Sequence, residues 1–161
     1  MFAPMRRRLQ QLPEERARAI LLKATSAVLA IADEEYPYAV PVSFSVEGDN
    51  IYIHGAPMGH RAQAMKKHPK VSLCIIESDN IVPEKLTTYF RSVVIFGTAR
   101  TVDDPELKRR ALKALAEKYS PGFEKEADKE IEDTLNYVNI VEIHIDHMTG
   151  KESIEYVNAR K

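Results

Sequence analysis

The sequence predicts a mainly β protein, an antiparallel sheet or small barrel with helices packed outside it. Three observations predict this. The segments that read as strands mostly follow one another, without the strand–helix–strand alternation of a parallel sheet. Two of them, at 38–46 and 138–146, alternate cleanly between apolar and polar residues. Between them lies hairpin chemistry, Glu47-Gly48-Asp49-Asn50, followed by a second arm at 51–55.

Taken in order, Leu12-Pro13-Glu14-Glu15 starts a helix, because proline suits the first helical position and the two acids suit the positive end of the dipole. It runs to about Lys23 and buries Ala17, Ile20 and Leu21. Residues 27–32 form a strand and 33–35 a polar turn. In the strand 38–46, Val40, Val42, Phe44 and Val46 face one way, while Pro41, which lacks a ladder donor, marks an edge or a bulge. Residues 59–68 read as a short helix ended by Pro69, 71–77 as a strand, and the polar stretch 78–88 as a loop. A long strand follows at 89–102, with Gly97 a bend or bulge. Asp104-Pro105-Glu106 starts a helix that buries Leu107, Ala111, Leu115 and Tyr119 and stops at Pro121-Gly122. A more acidic helix covers about 125–136, the last strand 138–146, and the end carries a turn at Gly150 and a polar tail.

The chain of 161 residues fits one domain with its core at about 12–155. Its 23 Lys+Arg nearly balance its 24 Asp+Glu, so net charge gives no argument for nucleic acid or a membrane surface. Cys74 is the only cysteine, which excludes an intrachain disulfide and fits a cytoplasmic protein. The basic start has no apolar stretch behind it and does not read as a secretory signal. No apolar run approaches the roughly 20 residues of a membrane span.

The chemistry concentrates in IYIHGAPMGHR, residues 51–61. The helix that begins there holds His60 and Arg61 in its first turn, then Lys66 and Lys67, and no acid. Cations at a helix start oppose the dipole, and a bound anion reverses the sign. Gly59 lets an anion approach closely, and an arginine fork suits phosphate. A solvated basic face is the alternative. His54 points away from the face of Ile51 and Ile53; it is either a surface or interface histidine or a polar group beside a ligand, able to relay protons. His54 and His60 match no familiar zinc spacing, and Glu142, His144 and Asp146 read as the solvent face of a half-buried strand rather than a metal set. Arg91 is expected to pair with an acid across the sheet, with a ligand contact from it or Ser92 as the alternative. Nucleophile-elbow, Walker and dinucleotide patterns are absent.

The run PYAVPVSFSVEGDNIYIHGAPMGHRAQAMKKHPKVSLCI resembles the flavin-binding core of the pyridoxamine 5′-phosphate oxidase-like split barrels, and within them the branch related to nitroimidazole-resistance proteins. PYAVPVSF, IYIHG, GHR and HPKV stand where that branch has its ordered motifs. YFRSVVIFGTA resembles its next barrel strand, DDPELKRRALKALAEKY its following helix, and MTGKES its end. The resemblance implies a six-stranded antiparallel split β-barrel, a homodimer with FMN at the subunit interface and a small-molecule substrate. It places Arg61, helped by His60 and Lys66, on the FMN phosphate and lays Val42 and Ser43 along the flavin by main-chain contacts. It puts Ile53, His54, Gly55 and Ala56 at the ribityl chain and ring edge, and adds Ser92. His54 becomes the catalytic candidate.

The implied activity is that of an FMN-dependent oxidoreductase, a reductase of small electron-poor compounds. The alternatives are a non-catalytic flavin or haem carrier of the same fold, or a small structural dimer with an incidental basic helix. Some relatives bind haem or a deazaflavin instead of FMN. The chain has no Trp and ends IEYVNARK, unlike the arginine- and tryptophan-bearing end of true pyridoxamine phosphate oxidases, so that oxidase activity is not expected.

Overall fold

The computed structural model describes residues 2–160. Seven strands form one antiparallel sheet: β1 Ala27–Ile31, β2 Tyr38–Val42, β3 Ser45–Glu47, β4 Asn50–Gly55, β5 Lys70–Val82, β6 Thr87–Thr101 and β7 Asn139–Glu152. Their spatial order is β2-β1-β5-β6-β7-β4-β3. The helices are α1 Glu14–Lys23, α2 His60–Lys67, α3 Pro105–Tyr119, α4 Glu124–Thr134 and α5 Ile154–Asn158.

Seven strands replace the expected six because 38–46 is two strands. β2 and β3 occupy opposite edges of the sheet, yet only Ser43 and Phe44 separate them in the chain. β2 pairs with β1, and β3 pairs with β4. The two edges are thus held at one place by a covalent link rather than a ladder, and the sheet is an open, split-barrel-like one. Pro41 sits in an edge strand, where its missing donor costs no ladder bond. Inside lie Phe44, Leu29, Ile51, Leu73, Ile95 and Ile143, all fully buried, and α1 closes the core with Ala17, Ile20 and Leu21.

The break between β2 and β3 leaves Phe44 outside both ladders, and the end of α3 supplies its partners. Tyr119 Oη accepts from Phe44 N at 2.9 Å and donates to Thr25 O at 2.7 Å. Lys118 Nζ donates to Phe44 O at 2.9 Å and stands 3.9 Å over the Phe44 ring. Burial holds the Lys118 ammonium below the ordinary lysine value.

Two expectations at the ends of strands are corrected. The stretch 78–88 is not a loop: β5 continues to Val82, turns through Pro83–Lys85 and Leu86 in the left-handed region (φ 51°), and returns in β6. Both faces of this arm are polar or exposed, so no apolar alternation betrays the strand. Gly150 is not in a turn but within β7, opposite Val93. A Cβ there would come within 2.9 Å of Leu12 and Ala17, so the glycine lets α1 lie directly on the strand. Beyond it the tail forms α5. Other expectations hold. Gly48 takes positive φ (56°) in the β3–β4 turn, Gly97 sits at a register shift against β7, and Asp104 caps α3 by accepting from Glu106 N. Arg91 pairs across the sheet with Glu152, Nε to Oε2 at 3.1 Å.

Candidate functional site

β4 ends at His54-Gly55, and the chain turns through Ala56-Pro57 into α2. Val42 and Ile53 are buried, and neither lines the cleft beside them. His54 is exposed, as its place in the alternation requires. Together with Ser43, Gly55, Ala56 and Pro57 it lines one side of a cleft of about 650 Å³. The other side is the α3–α4 hairpin, through Leu112, Leu115, Ala116 and Ile131. This volume lies within the usual range of small-molecule sites.

Arg61 is bent back from the first turn of α2. Its Nη2 donates to the carbonyl of His54 at 2.8 Å, and its guanidinium lies where a Cβ on Gly55 would be. Gly55 is therefore the residue that lets a guanidinium reach the end of β4. Gly59 is the N-cap in extended conformation, and no side chain caps the helix start. Free backbone donors and an arginine fork thus sit close to the end of β4, an arrangement suited to a phosphate.

The remaining predicted residues go elsewhere. His60 turns toward the β1–β2 loop, with Nε2 2.7 Å from Asp33 Oδ2 and its ring edge-on to Tyr38. Lys66 borders a separate cavity of about 160 Å³ with Arg100 and Pro69. Ser92 lies on the outer face of β6, in register with Ile76 and Lys151. A single chain therefore brings Ser43, His54, Gly55 and Ala56 to the cleft, holds Arg61 against Gly55 without lining it, and leaves Val42, Ile53, Gly59, His60, Lys66 and Ser92 outside it.

Glu142, His144 and Asp146 do not form a metal set; among the described residues no group of three or more such side chains could hold an ion. His144 Nδ1 is 3.0 Å from Asn50 Oδ1, and Asp146 accepts from Thr98 Oγ1 at 2.6 Å. Glu142 is buried rather than solvent-facing. It accepts from Tyr52 Oη at 2.9 Å and from Arg100 Nε at 2.6 Å. The apolar wall of α3 and α4 is the part of the site that sequence reasoning missed. Its signal was present in Leu115, read as core, and in Ile131, an isolated apolar residue of an acidic helix.

An open antiparallel sheet whose edges meet at a two-residue link, with a helix-walled cleft beside that link, defines the class of split-barrel-like proteins. The family model described as pyridoxamine 5′-phosphate oxidase matches residues 13–152, and the chain belongs to that family. A candidate 5-nitroimidazole antibiotic resistance protein from Bacteroides thetaiotaomicron is 25% identical, with a TM-score of 0.72 over 88% of this chain and 86% of that one. The FAD and haem binding protein from Mycobacterium smegmatis is 22% identical, with a TM-score of 0.77 over 94% of this chain and 80% of its own. The flavocytochrome Anf3 from Azotobacter vinelandii, also 22% identical, has a TM-score of 0.76 over 94% of this chain and 72% of its own. At such identity the last two establish the fold alone. No curated protein sequence matches the chain. Among the described residues no helix is long and apolar enough to cross a membrane.

Proposed function

We propose that the protein is an FMN-dependent oxidoreductase that reduces small electron-poor compounds, working as a homodimer in the cytoplasm. The observation that carries the flavin reading is Arg61. Its guanidinium rests on Gly55, close to the uncapped start of α2, and Gly55 itself lines a cleft of about 650 Å³. Family membership and the likeness to a nitroimidazole-resistance protein support the same reading. A phosphate at Arg61 satisfies both the guanidinium and the start of α2. Ser43 and the main chains of Val42 and Ile53 would then flank the flavin, with His54, Gly55 and Ala56 at its ribityl chain and ring edge.

When bound, the flavin supplies hydride or electron transfer. The chain's own part is to hold and orient. Arg61 would neutralise the phosphate, the aliphatic residues Leu115 and Ile131 would give the cleft an apolar wall, and the His54 imidazole would offer a proton to a reacting group beside it.

The sheet supports the dimer. Register sets Pro41, Val28, Cys74, Val94 and Thr149 in one row across the outer face, and Ala39, Ala30, Ser72, Phe96 and His147 in the next. Those rows contain no lysine, arginine or carboxylate, and Val28, Ile76 and Phe96 are exposed on that face. Ser92 shares it and would be covered by a second copy docked there. A second reading, a flavin or haem carrier without turnover, is favoured by the FAD- and haem-binding relatives.

A visible spectrum tests the first reading. Purified protein should take up FMN and show oxidised flavin bands, and Arg61→Ala should weaken FMN about 10- to 100-fold, the worth of charged hydrogen bonds to phosphate. Protein that stays colourless with added FMN overturns it, and a Soret band selects haem. Turnover of a nitro compound with NAD(P)H, lowered by His54→Ala more than FMN affinity is, separates enzyme from carrier.

A further inference from the structure

The cleft has two electrostatic ends. At the Gly55 end stands α2, with His60, Arg61, Lys66 and Lys67 and no acid. On the far side α4 carries Glu124, Glu126, Asp128, Glu130, Glu132 and Asp133 against Lys125 and Lys129. Several of these acids are already matched: Asp128 by Lys113 at 3.2 Å, Glu132 by Arg109 at 2.7 Å, Asp133 by Lys129 at 2.5 Å. Glu130 has no ion pair among the described residues. It is also the one carboxylate lining the cleft, and no lysine or arginine lines it. Between Glu130 and the His54 side the surface is aliphatic, from Leu112, Leu115, Ala116 and Ile131, with the Tyr137 ring at the rim.

We propose that the α3–α4 side of the cleft binds a compact apolar molecule carrying a positive charge, its ring against Leu115 and Ile131 and its charge toward Glu130. The aliphatic wall supplies affinity without regard to charge. An unmatched carboxylate at the rim then favours a cation and repels an anion by a modest, salt-sensitive amount, because the site is open to water. A phosphorylated substrate would meet Glu130 instead of a base. That the bound molecule is the flavin's reaction partner rests on the function proposed above, and it narrows electron-poor compounds to cationic ones. The choice of cation over anion does not rest on it.

The test compares three isosteric probes, para-nitrobenzylammonium, para-nitrobenzyl alcohol and para-nitrobenzoate, by amide NMR titration of the full chain at low salt, with and without added FMN. The ammonium should bind about threefold to fivefold more tightly than the alcohol, and the benzoate more weakly than either, the scale of an exposed ion pair. The shifts should centre on Ala116, Ala127 and Ile131. Glu130→Gln should level the three affinities, and Glu130→Lys should reverse their order. Both lie at an exposed helix position and should leave the fold intact. Ala116→Trp, which fills the cleft, should abolish all three responses. Equal affinities in the parent, an order untouched by Glu130→Gln, or shifts centred elsewhere overturn the proposal. FMN uptake measured in the same samples separates the two claims. Uptake with no charge order removes the cation site alone, whereas a charge order without uptake removes the flavin reading alone.

Discussion

Glu142 shows how a side chain in a polar alternation can be drawn inside. Its strand reads Val141, Ile143 and Ile145 against Glu142, His144 and Asp146, and the second set was expected to face water. Instead Glu142 is 5% exposed, enclosed by Tyr52 and by Arg100. Burial by itself would raise the Glu142 carboxyl, but the hydrogen bonds from Arg100 and Tyr52 outweigh it and hold it below the ordinary glutamate value. The same contact, with burial first, pushes the Tyr52 phenol up to about 12. The sign of the linkage follows. A carboxyl lowered in the folded state stabilises fully above its unfolded value of about 4.3, and that stability is lost as pH falls through the lower folded value. Glu142→Gln should therefore be less stable than the parent near neutrality, with the gap closing below about pH 4. Urea midpoints at several pH values check this; a gap that stays constant with pH would show that the ionised carboxylate is not what matters. Asp146, lowered by Thr98 and Lys70, leaves the variant an acid limb of its own.

At the scale of elements, the link between β2 and β3 depends on α3. Tyr119 Oη serves Phe44 N and Thr25 O together, so Tyr119→Phe leaves a backbone N–H of a buried residue without its partner. The expected cost is about 1–3 kcal/mol, read as a lower urea midpoint with unchanged m-value. Because Ser43 precedes Phe44 and lines the cleft, FMN affinity should fall with it; FMN affinity equal to the parent's would disconnect the latch from the site. Helix α3 was legible in the sequence because its cap, its proline and its apolar stripe agree. The latch was not, since Tyr119 read as one more residue of that stripe. The β3–β4 hairpin was legible from Gly48-Asp49, and the shift at Gly97 from the lone glycine. The β5–β6 arm was not, because a strand wetted on both faces carries no period in hydropathy. Gly150 misled for a related reason. A glycine forced by the close approach of α1 looks the same in sequence as one forced by a turn. The uncapped, acid-free start of α2 at Gly59 and Arg61 was legible in the sequence, whereas Gly55's role needed the bent path of the guanidinium to be seen.

For the whole molecule, the predicted site residues divide between two surfaces. Ser43, His54, Gly55 and Ala56 gather at the cleft with Arg61 held against Gly55, while Ser92 sits on the outer sheet face in the row Ile76–Ser92–Lys151. Ser92 could share a ligand with the cleft residues only across an interface between copies, as the proposed homodimer requires. The face is suited to it: the strands β2, β1, β5 and β6 expose alanine, valine, cysteine and phenylalanine there, and apolar sheet surface of this kind is normally covered. A carboxylate placed in its middle should be costly only in the dimer. Val28→Glu, at a position 42% exposed in the single chain, should leave the circular dichroism spectrum unchanged and convert a sedimenting dimer to a monomer. If the flavin is held between copies, the same substitution should weaken FMN at least tenfold, although Val28 does not line the cleft. A parent protein that sediments as a monomer while holding FMN would break the link between face and cofactor, and Ser92 would then have no part in the site.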